Sequence, residues 1–297
     1  MPSRPLPRAL LIGAALLLVL LLVWLAARAF SGGDSEEVTT PANGFDPAEF
    51  VRGRPKLDAP FVATDYEVVD AMLAMAAVKP QDYVIDLGSG DGRILIAAAR
   101  SHGAHGLGIE IDPARIREAE ANARAARVND RVEFRRQDLF ETPLREADVV
   151  TLYLTQEVNL RLRPRLLAEM RPGTRVVSHQ YDMGDWRADQ RQRIGDSTIY
   201  LWVVPANVSG RWVLTAGSDR AMLELDQRYQ RFDGRVLADD GGSGTRVEQG
   251  VVNGDRIRFV ANIGEGRRAF EGRVVGDRIE PLQRAAGTGA WQAARAR

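Results

Sequence analysis

A short apolar segment followed by a glycine-rich turn constrains this chain more than any other feature. Residues 84–87 read V-I-D-L, residues 88–92 read G-S-G-D-G, and a helix-like apolar pattern begins at Ile94. Glycines between a strand and a helix let the backbone approach a nucleotide-like ligand, because no side chain stands in the way. This order of elements predicts an α/β fold with a ligand beyond the carboxyl end of the strand.

Acids at the ends of two predicted strands narrow the choice of ligand. Glu110 ends the strand at residues 105–110 and follows Gly90 by 20 residues, an offset at which a carboxylate accepts hydrogen bonds from both ribose hydroxyls. The turn lacks the G-x-G-x-x-G spacing that seats a pyrophosphate, and Asp86 would repel a phosphate but suit a cationic ammonium group. A ligand with a ribose, a positive charge and no phosphate is S-adenosylmethionine.

Predicted strands and helices alternate over the middle of the chain. The apolar patterns predict helices at residues 65–78, 92–102, 113–127 and 156–170, and strands at residues 83–87, 105–110, 132–137, 147–154, 174–179 and 198–204. Such alternation implies right-handed crossovers and a Rossmann-like, doubly wound sheet with helices on both faces. We therefore expect Asp86, Gly88, Glu110, Asp138 and Tyr153 to meet at the carboxyl edge of the sheet.

Beyond residue 205 the pattern changes from helical periodicity to short alternating strands. Residues 252–257 read V-N-G-D-R-I and residues 274–279 read V-V-G-D-R-I, two similar hairpin turns of an antiparallel meander. We predict a small C-terminal all-β domain, a barrel or a sandwich, at residues 206–297. No motif in it carries chemistry, so its expected role is structural, with binding or docking as the alternative.

The N-terminus contains an apolar segment of membrane-spanning length. Ala9–Ala27 are 19 consecutive uncharged residues, about 28 Å of helix, which is just enough to cross a bilayer core. We predict an N-terminal transmembrane helix within residues 1–30 and a polar linker at residues 31–57. The alternative is a cleaved signal peptide, because A-R-A at residues 27–29 has the form of a cleavage site. The arginines favour an exported catalytic domain, but the cytoplasmic supply of the ligand favours a single-pass membrane protein with a cytoplasmic catalytic domain.

Composition excludes several classes of function. The 40 basic and 40 acidic side chains cancel, so no overall charge attracts the chain to nucleic acid. The chain has no cysteine, which excludes disulfides, thiolate metal sites and a cysteine nucleophile. The histidines lack metal-ligand spacing, so we expect no metal. Because the charges balance, we also expect no nucleic-acid partner.

Several separate segments resemble those of known methyltransferases. The class I, seven-strand methyltransferases are similar at residues 86–94, 108–112 and 136–140. A narrower family, the small membrane-anchored protein-lysine methyltransferases related to the ATP synthase c-subunit enzyme, is similar at residues 60–64, 150–154, 159–164 and 178–186. The resemblance covers residues 58–205. It implies a seven-strand methyltransferase sheet, S-adenosylmethionine as the cofactor and a lysine side chain as the methyl acceptor.

The resemblance also implies roles for individual residues around the cofactor. Asp86 would face the methionine amino group, Gly88 and Gly90 would leave room for the ligand, and Glu110 would hold the ribose. Asp138, with the backbone of the residue after it, would contact the adenine edge. The predicted cofactor-binding residues are Thr64, Asp86, Gly88, Ser89, Gly90, Asp91, Glu110, Ile111, Asp138 and Leu139.

Three residues are catalytic candidates, expected near the methyl acceptor. Tyr153 stands where many related enzymes carry a D/N-P-P-Y/F motif, but residues 151–154 read T-L-Y-L, so only the tyrosine remains. Asn159 lies near the start of a predicted helix, and Asp182 follows a predicted strand on the ligand side. A buried core tyrosine is the alternative for Tyr153, and a helix cap is the alternative for Asn159 and for Thr64.

Three functions remain open at this point. The favoured one is transfer of a methyl group from S-adenosylmethionine to an amine, the lysine side chain of a membrane-associated protein. The second is a methyltransferase for a small molecule or a membrane lipid, which the missing acceptor motif would allow. The third is a non-catalytic module that binds S-adenosylmethionine and docks through its β-domain, against which stands the complete set of cofactor positions.

Overall fold

The computed structural model describes residues 61–237, 244–264, 266–282 and 291–296. These residues belong to one compact unit of the chain. They form a seven-stranded sheet covered by helices and, after it, a closed β-barrel.

The sheet has the doubly wound, Rossmann-like arrangement. Its strands are Tyr83–Leu87 (β1), His105–Glu110 (β2), Val132–Arg136 (β3), Val149–Leu152 (β4), Arg175–His179 (β5), Gln190–Ile194 (β6) and Ser197–Val203 (β7). Their order is β3-β2-β1-β4-β5-β7-β6. The first five strands in this order run parallel, and β7 runs antiparallel to both β5 and β6. The sequence does not predict β6, because its residues are polar, exposed and without alternation.

Four helices pack on the sheet, with ends within three residues of those predicted. They are Tyr66–Met75 (α1), Arg93–His102 (α2), Pro113–Ala125 (α3) and Gln156–Glu169 (α4). Two of them begin with a side-chain cap: the carboxylate of Asp112 accepts from the backbone N–H of Ala114, and the hydroxyl oxygen of Thr155 accepts from that of Val158. These caps satisfy N–H groups that have no partner inside a helix, which explains why the chain turns helical at these points.

The hydrophobic core lies on both faces of the sheet because side chains alternate along each strand. In β1, Val84 packs with the buried residues of α1, α2 and α3. Ile85 and Leu87 pack on the opposite face with α4, where Leu162 and Leu166 are fully buried. Each such side chain contributes about 1.5–3 kcal/mol of burial free energy. The two layers hold the carboxyl edge of the sheet in place.

The C-terminal strands close into an antiparallel barrel, which decides between the predicted barrel and sandwich. The strands are Gly210–Ala216 (β8), Asp219–Arg228 (β9), Arg231–Leu237 (β10), Thr245–Asn253 (β11), Arg256–Ile263 (β12), Gly266–Val275 (β13), Arg278–Pro281 (β14) and Trp291–Arg295 (β15). Strand β15 pairs with β8 and closes the ring. Large apolar side chains, among them Trp212, Phe232 and Phe259, fill the interior. The two predicted turns are present, with Gly254 at φ 56° and Gly276 at φ 57°.

The prediction of a transmembrane helix and a single-pass membrane location is corrected. No helix within the described ranges is long and apolar enough to cross a membrane. The longest of them, α4, has 14 residues, against about 20 that a bilayer core requires. The predicted anchor at residues 1–30 and linker at residues 31–57 lie outside the described residues.

Candidate active site

The glycine-rich turn between β1 and α2 is fixed to the neighbouring strand. The backbone N–H groups of Gly88 and Ser89 both donate to the carbonyl oxygen of Ile109, at 2.8 and 2.9 Å. Gly88 and Gly90 have φ of 79° and 52°, a left-handed conformation that glycine adopts without strain. A Cβ on Gly90 would lie 2.3 Å from the Phe61 ring. Both conformation and space therefore require glycine at this position.

Glu110 ends β2 beside this turn, and backbone N–H groups hold its carboxylate. Gly90 donates to Oε2 at 3.0 Å, and Ile111 and Asp112 donate to Oε1 at 2.8 and 3.0 Å. Ile111 thus contributes its backbone to the acid rather than its side chain. A carboxylate oriented in this way keeps a free lone pair on Oε2, which can accept from a hydroxyl group of a ligand.

Asp86 is buried in β1, directly before the turn. The hydroxyl of Thr151 donates to its Oδ1 at 2.6 Å, whereas its Oδ2 and the hydroxyl of Ser89 are buried without a partner among the described residues. Burial raises the pKa of Asp86 to about 7, and the charges of Asp91 and Glu110 add to this, whereas the hydrogen bond from Thr151 opposes it. Buried polar atoms without partners cost free energy, so these two oxygens suit a ligand that donates hydrogen bonds and carries positive charge.

Arg93, which the sequence does not predict as a site residue, forms an ion pair with the side chain of Asp91. Its Nη2 lies 2.6 Å from Asp91 Oδ2, and its Nη1 donates to the carbonyl oxygen of Thr64 at 2.8 Å. The hydroxyl of Thr64 lies 3.3 Å from Nδ1 of His179. Arg93 therefore ties the segment before α1 to the glycine-rich turn, and Asp91 is engaged in that contact.

Asp138 follows β3 at the same edge of the sheet and caps a short 3-10 helix. Its Oδ1 accepts from the backbone N–H of Phe140 at 2.8 Å, and the helix covers Leu139–Glu141. Since β1, β2 and β3 are neighbours in the sheet, their carboxyl ends bring Asp86, Glu110 and Asp138 to one edge, as predicted.

Tyr153 follows β4 and packs on His179 at the end of β5. The ring centroids are 3.9 Å apart, and Nε2 of His179 lies 2.9 Å from the hydroxyl of Ser197. Burial lowers the pKa of His179, which keeps the imidazole neutral at pH 7. Burial raises the pKa of Tyr153, and the charges of Tyr181 and Asp65 add to this. Tyr153 therefore lies against a neutral imidazole, with the carboxylate of Asp65 close enough to act on it.

Of the other two catalytic candidates, Asn159 lies in the first turn of α4 and Asp182 lies on the connection that follows β5. Asn159 is fully buried, and its amide nitrogen donates to the hydroxyl of Ser178 and to the carbonyl oxygen of Tyr181, both at 3.1 Å. Asp182 is partly exposed, and its Oδ1 accepts from the amide of Gln156 at 2.8 Å. Asn159 thus holds the backbone beside Tyr153, whereas only Asp182 of this pair reaches the surface.

Two residues of the site were missed by sequence reasoning, and one of them left a signal. Thr151 places a hydroxyl in the otherwise apolar V-V-T-L of β4, and a buried hydroxyl needs a hydrogen-bond partner. Arg93 gives no such signal, because its sequence position does not distinguish it from an ordinary surface arginine at the start of a helix.

The matches to known proteins agree with this geometry. Residues 86–190 match the family model described as the ANTKMT methyltransferase domain. Over 150 residues the chain is 41% identical to a protein-lysine N-methyltransferase of Saccharolobus islandicus (strain REY15A), a match that covers 49% of this chain and 93% of that relative. The chain belongs to the protein-lysine N-methyltransferase family. It is an S-adenosylmethionine-dependent methyltransferase, which confirms the predicted enzyme class and cofactor.

Two further proteins are similar over about half of this methyltransferase. Over 162 residues it is 30% identical to the adenine nucleotide translocase lysine N-methyltransferase of Mus musculus, which covers 54% of this chain and 69% of that relative. A solved structure of an RNA methyltransferase from Salinibacter ruber, in complex with S-adenosyl-L-homocysteine, is 52% identical. It covers 50% of this chain and 96% of that chain, with a TM-score of 0.49. The family model ends at residue 190, before the barrel begins.

Proposed function

We propose that this methyltransferase transfers the methyl group to the ε-amine of a lysine in a protein. The observation that carries the proposal is the position of Tyr153, which packs on His179 at the carboxyl edge of the sheet. The next residue, Leu154, reaches the glycine-rich turn, since a Cβ on Gly88 would lie 2.8 Å from its Cδ2. An amine that contacts Tyr153 would therefore lie beside the place assigned to the cofactor.

The residues at the carboxyl edge suit S-adenosylmethionine by their chemistry. Asp86 would hold the amino group through its Oδ2, which has no partner among the described residues. Glu110 would hold the ribose, and Asp138 would contact the adenine edge. Gly88 and Gly90 would let the backbone come close. The cofactor supplies a methyl group on a positively charged sulfur.

The acceptor amine must be neutral before it can take the methyl group. A lysine with a pKa near 10.4 is neutral in only about one molecule in 2,500 at pH 7. A site that excludes water and contains positive charge lowers that pKa. In this proposal the hydroxyl of Tyr153 and nearby backbone carbonyls orient the neutral amine, and His179, itself neutral, keeps the Tyr153 ring in place. Orientation and exclusion of water then provide most of the rate, without a dedicated general base.

The finer part of the proposal concerns the protein that carries the lysine. We propose a membrane-associated protein or complex, and the similarity to the adenine nucleotide translocase lysine methyltransferase favours it. The test uses purified protein, tritiated S-adenosylmethionine and a membrane extract, followed by mass spectrometry of the labelled fraction. Methylated lysine in a protein supports the proposal, whereas label only in lipid or in small molecules contradicts it.

A conservative substitution tests the role of Tyr153. We expect Tyr153→Phe to lower the turnover number by about tenfold, the effect of losing one hydrogen bond of about 1.4 kcal/mol. The affinity for the cofactor, measured by calorimetry, should stay within about twofold. Tyr83→Phe is the matched control, because Tyr83 lies at the opposite end of β1. Equal turnover in wild type and Tyr153→Phe would remove this tyrosine from the acceptor site.

A further inference from the structure

The barrel contacts the methyltransferase part through the two-residue turn between β9 and β10. The turn consists of Tyr229 and Gln230, and Tyr229 has φ 56°. Glycine and asparagine are the usual residues with this left-handed backbone, and a tyrosine there is uncommon. Because the turn itself does not favour tyrosine, the reason for a tyrosine at this position lies in the contacts of its ring.

The Tyr229 ring packs on the acceptor-side segment, residues 181–189, which connects β5 to β6. It stacks on Trp186 with ring centroids 6.0 Å apart and planes inclined by 20°. Trp186 is fully buried and forms a β-bridge with Met183. The guanidinium of Arg163 lies 5.7 Å from the centroid of the Tyr229 ring. The barrel thus supplies one wall of the pocket that holds Trp186.

Charged and polar contacts join the same turn to the same segment. Nη2 of Arg228 lies 2.7 Å from Oδ2 of Asp185, and Arg163 pairs with the other oxygen of that carboxylate. These arginines and the Tyr229 hydroxyl lower the pKa of Asp185 to about 2, with the hydrogen bond from Arg228 the largest cause. Gln230 donates to Oδ2 of Asp189 at 3.1 Å. The C-terminal half of the acceptor-side segment is therefore held from the barrel.

The N-terminal half of the acceptor-side segment borders the acceptor site. The carbonyl oxygen of Tyr181 accepts from the hydroxyl of Ser178 at 2.7 Å and from Asn159 at 3.1 Å. Tyr181 is exposed, and its backbone N–H donates at 2.9 Å to the carbonyl oxygen of His179, whose ring packs on Tyr153. One segment of nine residues therefore connects the barrel turn with the side chains beside Tyr153.

We propose that Tyr229 is a positioning residue for methyl transfer: by holding Trp186 it fixes the acceptor-side segment and keeps Tyr181 beside Tyr153. This assigns the barrel a role in the reaction that the family match does not cover. It rests on the proposed function only in the nature of the acceptor. The proposed cofactor contacts other than Thr64 lie at β1, β2 and β3, and β4 separates these strands from β5 in the sheet. Cofactor affinity should therefore not depend on Tyr229.

The experiment uses the full chain with Tyr229→Asn, since asparagine tolerates the left-handed backbone but has no ring. At saturating tritiated S-adenosylmethionine, initial rates are measured over a range of membrane-extract concentrations. We expect kcat/KM for the extract proteins to fall by about tenfold, the upper end of what one aromatic pair contributes. Cofactor affinity should stay within about twofold. Amide hydrogen exchange in residues 181–189 should become faster, which is independent of the acceptor.

Two further variants complete the design. Tyr229→Phe keeps the ring and loses the hydroxyl bond to Asp185, so it should keep most of the activity. Arg246→Ala, which removes an exposed ion pair elsewhere on the barrel, should behave as wild type. Unchanged kcat/KM and unchanged exchange in Tyr229→Asn overturn the proposal, and so does a parallel loss of cofactor affinity. If wild type labels no lysine, the proposed function fails, and the exchange measurement still decides on positioning.

Discussion

At the scale of single residues, Asp86 is the group whose charge depends most on its surroundings. Its pKa is raised from 3.8 to about 7, mainly by burial. Between these two values the folded protein binds this proton and the unfolded chain does not, so stability falls as the pH rises from about 4 to about 7. We expect the thermal midpoint of the ligand-free protein to fall over this window, relative to Asp86→Asn, which cannot titrate.

A carboxylate on the barrel surface provides the control for Asp86. The side chain of Asp233 is 80% exposed, and Asp233→Asn should show the wild-type dependence on pH. If Asp86→Asn has that same dependence, burial of Asp86 is not its cause. The comparison uses calorimetric melting at matched ionic strength.

Glu110 should determine cofactor affinity. Three backbone N–H groups orient its carboxylate, and hydrogen bonds to a charged group contribute about 1.5–3 kcal/mol each. We expect Glu110→Gln to weaken S-adenosylmethionine binding by about ten- to a hundredfold in calorimetry. Glu133→Gln, an exposed acid on the neighbouring strand β3, should bind as wild type. Equal affinity in both variants would exclude Glu110 from the cofactor site.

At the scale of elements, the turn between β1 and α2 depends on its glycines for two separate reasons. Gly90→Ala would introduce left-handed strain of about 1–2 kcal/mol and a clash with Phe61. Gly195 has φ 56° and nothing within 4 Å of an added Cβ, so Gly195→Ala has the strain alone. We expect Gly90→Ala to lower the free energy of unfolding by more than Gly195→Ala does.

A double variant separates the clash from the strain at this turn. The variant that combines Gly90→Ala with Phe61→Ala has no ring at position 61 and therefore no clash. Its free energy of unfolding should be lower than that of Phe61→Ala only by the strain at position 90. Chemical denaturation of the four variants measures both terms. If the double variant recovers nothing, Phe61 does not cover the turn.

At the scale of the whole molecule, the sheet and the barrel should unfold together. Besides the contact of Tyr229 with Trp186, the backbone N–H of Ala206 donates to the carbonyl oxygen of Gly254 at 2.7 Å, and Gly254 lies against Gly173. We expect one calorimetric transition with equal calorimetric and van't Hoff enthalpies. Trp186→Ala should separate it into two, whereas two transitions already in wild type would contradict a shared interface.

The sequence by itself determined the parts of this protein that depend on local pattern. The sequence predicts the strand, the G-S-G-D-G turn and the helix after it, because glycine conformation and apolar periodicity determine structure over a few residues. Asp86, Glu110 and Asp138 were placed at one edge because the carboxyl ends of parallel strands meet there. The paired hairpins at Gly254 and Gly276 were readable for the same local reason.

Only the tertiary structure decided the features that depend on contacts between distant segments. Strand β6 forms because β7 offers it an edge, and its own residues carry no strand pattern. Two contacts join elements far apart in the chain. Thr151 donates a hydrogen bond to Asp86, and Arg93, which pairs with Asp91, donates to the carbonyl oxygen of Thr64. The closure of the barrel and the stacking of its β9–β10 turn on the acceptor-side segment follow from packing of complementary surfaces, which no local pattern encodes.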